Sequence, residues 1–369
     1  MCRAGGEQVA RCFHLAFPDA PIYTQCYRPE LTFPDFADCD VRPSWLQRIA
    51  TTDDQMKKLF FPFGVMAMKA QDVTAYDVVL MSSTHCAKYV RLSPTALVIN
   101  YCHTPFRLAW DPESYAQYAN AGPLKRKAFD LVLSYLRRLD YETAQRPDYY
   151  LCNTEEMAGR VRQYYGVKKP VTVINPPVNV RNFYVSDKPK GYYLVVSRLE
   201  YYKKVDLVID AFNRLGYPLI IVGKGMQADE IKARAGSNIQ FLSGLSAAEL
   251  ADVYANCRAF IFPQHEDYGI TPLEANAAGR PVLAYGAGGV LTTQIPVGDD
   301  PSRATAIYFP EQTVDSLTTA IEQFERVEPY FDPQFIRRHA EQFDESQFIQ
   351  KIRSFVNEKY ALFRQGVNA

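Results

Sequence analysis

The stretch from Ala259 to Ala278 constrains the fold of this chain more than any other. Ala259-Phe260-Ile261-Phe262 is a short, aromatic, apolar run of the kind that forms a strand buried on both faces of a parallel sheet. A polar loop follows, and then Thr271-Pro272, which reads as the N-cap and first position of a helix. Strand, polar loop and helix form the repeating unit of an open parallel sheet, whose ligands bind in such loops at the carboxyl edge. Glu266 lies in the loop and Glu274 in the first turn of the expected helix. The N–H groups of Gly269, Ile270 and Thr271 fall at the positive end of the helix dipole, a setting that suits a phosphate. Two glutamates alone carry little, because a solvated loop acid and a dipole-complementing helix acid give the same pair.

Length and composition set the bounds. With 369 residues, 47% of them hydrophobic, the chain can build two or three domains with real cores. Its 41 basic and 41 acidic residues cancel, so there is no bulk attraction to nucleic acid. Eight cysteines, at 2, 12, 26, 39, 86, 102, 152 and 257, form no Cys-x-x-Cys pair and sit in apolar runs, as reduced core residues do. No apolar run reaches membrane-spanning length and no signal peptide is recognisable. The expected location is the cytoplasm, with at most surface attachment to a membrane.

In the first half, Gly5-Gly6 before Glu7 reads as a glycine turn entering a helix. In a doubly wound domain such a turn follows the first strand, yet no apolar strand precedes Gly5: either the start is truncated or misassigned, or the sheet lacks its first strand and a groove or a substitute is expected there. Pro21 to Thr24 is a short strand, and residues 27–56 read as an ordered, irregular region. Asp38 and Asp40 form an Asp-x-Asp of a kind that binds metal in some transferases, but no apolar strand leads into it and a solvated pair is expected. Strands are expected over 77–81 and 95–101, the second running into Cys102-His103-Thr104-Pro105 and then Trp110-Asp111. His103, at a strand's carboxyl end beside a proline-stiffened turn, is a candidate hydrogen-bond donor, neutral near pH 7. Residues 123–145 predict one long helix with Phe129, Val132, Leu136 and Leu139 on its apolar face and Lys125, Arg126, Lys127, Arg137 and Arg138 largely off it. A strand at 149–152, a helix capped by Asn153-Thr154 and a strand at 171–174 complete the half.

Asn175-Pro176-Pro177-Val178 opens a polar linker reaching Lys190, and a second parallel unit starts at Tyr192 to Val196. In the next turn Arg198 and Lys203 stand five residues apart and can converge on one diphosphate, while Lys204 faces solvent. The helix after it turns Val205, Leu207, Val208, Ala211 and Phe212 inward. Leu219–Val222 ends in Gly223, Ile239–Leu242 in Ser243, and Ser246 caps a helix. Val282–Ala284 leads to Gly286-Ala287-Gly288-Gly289, where a sugar diphosphate could approach backbone closely. Helical segments begin at Val314, Gln334 and Glu345.

The Glu-x7-Glu spacing of Glu266 and Glu274, its Gly269-Ile270-Thr271-Pro272 centre, the strand before it and Ala277-Ala278-Gly279-Arg280-Pro281-Val282 after it resemble the signature of family-four retaining glycosyltransferases of the GT-B fold. The resemblance covers nearly the whole chain from Gly5 and is strongest over 192–295 and 101–111. The Cys102 to Pro105 run is similar to that of mannosyltransferase-like members. It implies an α/β protein of two doubly wound Rossmann-like domains with parallel sheets facing a central cleft. The acceptor-side domain would span 1–178 without its usual first strand, the nucleotide-sugar domain 186–345, and a helix over 346–369 would cross back. The implied activity is transfer of a hexose, mannose from GDP-mannose, to a glycan or lipid-linked acceptor in polysaccharide assembly. It puts Glu266, His103, Arg198 and Lys203 in catalysis. Donor binding falls to Gly5, Gly6, Arg198, Lys203, Gly223, Leu242, Gly269, Ile270, Thr271 and Glu274. No metal and no cofactor are implied, the nucleotide sugar being a substrate. Lipid-linked acceptors would put the enzyme at the inner face of the plasma membrane and give the basic face of the 123–145 helix an anionic lipid partner, the alternative being plain solvation. Thr292 departs from the glutamate that the family often has there, which bears on a secondary contact only. An epimerase of the same fold, or a non-catalytic partner of another transferase, are the alternatives. The presence of all five of Glu266, Glu274, Arg198, Lys203 and His103 argues against the second.

Overall fold

The computed structural model describes residues 5–49, 63–114, 118 and 120–366. The chain divides into two compact units, one of residues 1–176 with 348–369, the other of residues 177–347. Each is built on a parallel sheet.

The second unit holds six strands: β7 (Tyr192–Val196), β8 (Leu219–Val222), β9 (Ile239–Leu242), β10 (Cys257–Phe262), β11 (Val282–Tyr285) and β12 (Ala306–Phe309). Their order is β12-β11-β10-β7-β8-β9, every pair parallel. The chain therefore winds outward from β7 in one direction and then from β10 in the other. The reversal between β7 and β10 opens a crevice at their carboxyl ends. Strand periodicity sorts the side chains to two cores. Tyr193, Val195, Ala259 and Ile261 join one, with Val205, Val208, Ile209 and Phe212 of the Val205–Leu215 helix. Leu194, Phe260 and Phe262 join the other, with Tyr254 and Ala275. Leu207, expected inside, is only half-buried, and Ile209 is buried instead. The expected polar linker is packed rather than loose: Val178 and Val180 are buried, and Val178 bridges to Asp344.

The first unit contains a sheet ordered β3 (Val78–Ser83), β4 (Leu97–Cys102), β5 (Tyr149–Cys152) and β6 (Val171–Val173), all parallel. A separate parallel ribbon pairs β1 (Ile22–Thr24) with β2 (Val41–Pro43). Residues 27–49 are thus less irregular than expected, since they hold β2 and three short 3-10 turns, while 50–56 lie outside the described residues. Gly5 and Gly6 belong to the helix Gly5–Ala16 itself rather than to a turn before it. Val9, Cys12 and Phe13 of that helix share a core with Leu97, Ile99 and Tyr101, and with Phe348, Ile352 and Val356 of the helix Glu345–Arg364.

Between the β1 edge and the β3 edge lies an apolar slot of about 740 Å³. Ile22, Tyr23 and Thr24 line one side, Val78 to Ser82 the other, and Phe13 and Val356 close its back. The Tyr23 and Tyr76 hydroxyls meet at 3.2 Å toward the amino end of β3. Gly6, Ser82 and His103 stand at the other end. The slot borders β3 on the side away from β4. It sits between two edges that pair with nothing on that side among the described residues.

The long helix Pro123–Ala144 turns Phe129, Leu136 and Leu139 of its expected apolar face inward, with Val132 the exception. Leu133 and Leu136 are buried and Phe129 packs with them, but Val132 is 46% exposed. A second line of apolar residues, Leu124, Leu131 and Tyr135, stays exposed on the other side.

Candidate active site

In the second unit the candidate residues gather at the carboxyl ends of β7 to β10. After β7, Ser197 to Glu200 leads into a single turn, Tyr201–Lys203, and Lys204 takes a left-handed conformation (φ 55°) before the next helix. That reversal exposes Lys204 and buries Lys203. The Lys203 ammonium makes an ion pair with Glu266, whose loop follows β10. The two turns flanking the sheet reversal are thereby joined through one cation and one carboxylate. Arg198 is exposed and donates from Nη2 to the Tyr202 hydroxyl at 2.6 Å, and Lys203 Nζ lies 5.1 Å from the centre of the Tyr202 ring. Tyr202 was not foreseen from sequence, where nothing but its place beside Lys203 marks it.

Glycines let these backbones approach. A Cβ on Gly223 would fall 1.9 Å from the Ser197 carbonyl oxygen, so the turn after β8 can abut the Arg198 turn only without a side chain. Leu242, at the end of β9, accepts the Gly223 N–H at 3.0 Å. The Gly286–Gly289 turn packs against the loop after β10. Gly289 donates to the Glu266 carbonyl at 2.8 Å, and a Cβ on Gly288 would stand 2.3 Å from that same oxygen. Besides the backbone approach expected of it, this turn clamps the Glu266 backbone.

The helix after β10 runs Ile270–Ala277 with Gly269 at its N-cap, φ 82°. Thr271 is therefore not the N-cap but the second helical residue, Pro272 is the third, and Glu274 lies beyond the first turn. The cause is Gly269: its left-handed backbone starts the helix two residues early, and the Phe262 ring would be 2.8 Å from any Cβ there. The Ile270 and Thr271 N–H groups remain among the unsatisfied donors of the first turn. Glu274 is half-buried, and its Oε2 accepts a hydrogen bond of 2.7 Å from the hydroxyl of the fully buried Tyr254. Burial raises the Glu274 pKa, and the Tyr254 bond offsets part of that rise.

In the first unit, His103 follows β4, with its Nε2 2.8 Å from the Ser82 Oγ and its carbonyl accepting from Asn153 Nδ2 at 3.0 Å. Burial pushes its pKa down to about 4, so the ring is neutral at pH 7. A Cβ on Gly6 would lie 3.8 Å from that Nε2, which brings Gly6 and His103 together, with Gly5 one residue further off. The segment behind His103 is anchored by a buried network. Asp140 accepts from Lys88 Nζ at 2.6 Å and from Trp110 Nε1 at 2.8 Å, Tyr165 accepts from Lys88 at 3.0 Å, and His85 stacks on Phe106 at 3.6 Å. Lys88 and Asp140 are 1% and 0% exposed, a pairing no local sequence pattern announces. Asp38 and Asp40 are exposed, and Asp40 is engaged by Arg42. Among the described residues, no cluster of three or more His, Cys, Asp or Glu side chains could hold a metal.

Residues 24–182 match the model of Glycosyltransferase Family 4, and residues 179–343 that of Glycosyl transferases group 1. The chain belongs to the GT-B glycosyltransferases, with a family-4-like amino-terminal domain and a group-1 carboxyl-terminal domain. Its relatives include the O-antigen chain mannosyltransferase C of Escherichia coli, 32% identical over 26% of this chain and 27% of that protein. Another is the alpha-1,3/1,6-mannosyltransferase ALG2 of Kluyveromyces lactis, 24% identical over 68% of this chain and 58% of that one. D-inositol 3-phosphate glycosyltransferase of Kribbella flavida matches at 27% over 49% of each. The chain thus spans about a quarter to three-fifths of these relatives' lengths. Among solved structures, sucrose-phosphate synthase from Thermosynechococcus elongatus superposes with TM-score 0.71 at 15% identity, covering 96% of this chain and 92% of that one. Anabaena Alr3699/HepE in complex with UDP gives 0.67 at 16%, covering 96% of both.

Proposed function

We propose that this glycosyltransferase moves mannose from GDP-mannose, with retention at the anomeric carbon, to a glycan or lipid-linked acceptor on the cytoplasmic side of the membrane during cell-surface polysaccharide assembly. The observation that carries the transfer chemistry is the ion pair of Lys203 and Glu266 at the switch point of the second sheet, with Arg198 held by the adjacent Tyr202. In the reaction the bond from the anomeric carbon to the diphosphate breaks and one to the acceptor oxygen forms, while the acceptor's proton leaves with the nucleotide. Arg198 and Lys203 neutralise the charge gained by the diphosphate, with the Ile270 and Thr271 N–H groups beside them and Gly269 setting where those groups point. No metal is needed for that task. Glu274 accepts from the ribose hydroxyls, Gly223 and Leu242 border the nucleobase, and Glu266 faces the sugar. Neutral His103, with Gly5 and Gly6 near it, hydrogen-bonds a sugar hydroxyl. The mannose assignment is supported by the Cys102 to Pro105 run and by the mannosyltransferase relatives.

A thermal-shift panel of GDP-mannose, UDP-glucose, UDP-N-acetylglucosamine and free nucleotides tests this reading. The true donor should raise the melting temperature most, because it alone binds the folded state with full contacts. Stabilisation by a UDP-sugar and not by GDP-mannose overturns the donor assignment. Stabilisation by no nucleotide sugar overturns the site.

A further inference from the structure

Among the described residues, the Glu274 side chain makes no ion pair, and its one hydrogen bond is the 2.7 Å bond from the Tyr254 hydroxyl to Oε2. The tyrosine reaches it from another element. Its helix, Ala247–Asn256, is fixed at both ends. Ser246 and Glu249 form a reciprocal capping box at the start, and Cys257 closes the helix and opens β10 with no loop between. The Tyr254 ring is wholly buried. It stands edge-on to Phe183, centroids 5.5 Å apart, and tilted against Phe260 at 5.6 Å. A ring packed on two sides gives its hydroxyl one place, and the carboxyl must come to it.

An ionised carboxylate only accepts hydrogen bonds, through two oxygens that share about four lone-pair directions. The phenol takes one of these on Oε2, which stops the group from turning about its last bond. Donation to the carboxylate also favours its charged form against the burial that disfavours it. What remains is a fixed set of acceptors on a half-buried side chain of the helix that follows β10. Hydroxyls on two adjacent carbons can bond such a carboxylate side by side. A carbon that bears hydrogen in place of its hydroxyl leaves an acceptor without a donor. A carboxyl free to turn, or protonated, distinguishes the two ligands less sharply.

We infer that Tyr254 is a positioning residue: it pins one oxygen of Glu274, aims the carboxylate at a vicinal diol, and thereby sets a preference for ribose over deoxyribose nucleotides. This rests on the reading that Glu274 accepts from the ribose hydroxyls. It adds that the discrimination comes from a wholly buried side chain on a different helix, which touches no ligand itself.

The experiment is titration calorimetry of the full chain with GDP, UDP and the 2′-deoxy form of each. The nucleotide that binds should do so about tenfold or more tightly with its ribose intact, as a hydrogen bond to a charged group warrants. Tyr254→Phe deletes one oxygen and keeps the packed ring. It should shrink that ratio to about threefold, the worth of a bond to an uncharged partner, with the deoxy nucleotide bound as before. In steady-state kinetics the same variant should raise KM for the donor and nearly keep kcat. Equal weakening of both forms makes the hydroxyl a support of the fold alone and overturns the inference, as does an unchanged ratio. Glu274→Gln separates this failure from that of the underlying reading. A ratio lost in Glu274→Gln but kept in Tyr254→Phe sinks the role of Tyr254 only. A ratio kept in Glu274→Gln, or no preference for ribose in the parent, sinks the ribose contact and the inference with it, and so does binding of neither nucleotide.

Discussion

Lys88→Met tests how the first unit holds the segment that carries His103. Lys88 and Asp140 are almost wholly buried, and their 2.6 Å contact is shared with Trp110 and Tyr165. Removing one partner of a buried pair leaves an uncompensated charge, at a cost of about 3–5 kcal/mol. Asp140 can escape by taking a proton. Burial alone would raise its pKa, but Lys88, His85 and Trp110 hold it well below the usual carboxylate range. In the parent protein this depressed carboxyl contributes stability that is present above the unfolded value near 3.8 and is lost as pH falls through the folded value. In the variant the burial effect dominates, the folded pKa rises above the unfolded one, and the sign reverses. Stability should then fall as pH rises from 4 to 8 (approximate limits set by the ordinary carboxylate value). The two tryptophans of the chain, Trp45 and Trp110, both lie in the first unit, so their fluorescence follows that unit alone. At pH 7 a melting temperature lower by roughly 6–20 °C is expected. Lys88→Met/Asp140→Leu should recover most of the loss, since an apolar pair of similar volume often replaces a buried ion pair at little cost. A single variant as stable as the parent, or a double variant no better than the single, would refute the account.

Arg198→Ala should slow turnover about a hundredfold, ~3 kcal/mol, with nucleoside binding nearly kept, and a chelator should change nothing; unchanged turnover removes Arg198 from the site. Glu274→Gln should raise KM for the donor by about 1–3 kcal/mol with little change in kcat, because its bonds persist into the transition state. Glu266→Gln should lower kcat at nearly constant KM, and the reverse pattern in steady-state kinetics would exchange their roles. Because Lys203 and Glu266 touch, Lys203→Ala and Glu266→Gln should be non-additive in kcat; simple additivity would show that the ion pair is irrelevant to turnover. His103, with its pKa pushed down to about 4, should contribute stability that is complete above pH 6.5 and is lost as pH falls toward 4, and NMR titration of its ring checks the value.

The second unit was largely legible in the sequence, because its strands are continuous apolar runs ending in glycine or polar turns. Tyr192–Val196, Leu219–Val222 and Ile239–Leu242 fall where those runs predict. Positions governed by tertiary contact were not legible. The start of the helix at Ile270 depends on Gly269 meeting the Phe262 ring, which outweighs the capping preference of Thr271. On the 123–144 helix periodicity found Phe129, Leu136 and Leu139 of the packed face, but placed Val132 there where Leu133 is the residue that meets Tyr118 and Ala109. The glycines at 288 and 289 carry no mark of their partner, the Glu266–Tyr268 backbone, because the two segments meet only in the fold. The tie between Glu274 and Tyr254 joins a helix to the one before the strand and likewise has no local signal.

The slot between β1 and β3 has a practical consequence for anyone handling this protein. Among the described residues, β1 and β3 each have an edge that pairs with no strand, offering amide and carbonyl groups beside an apolar gap. An extended, β-branched segment of another molecule has the backbone groups to add to such an edge. Such a segment is exposed whenever a neighbouring copy opens. Stock concentration and storage time, more than heat, should therefore govern how fast preparations turn cloudy. An excess of a short β-branched peptide should slow the clouding, acting as a plug.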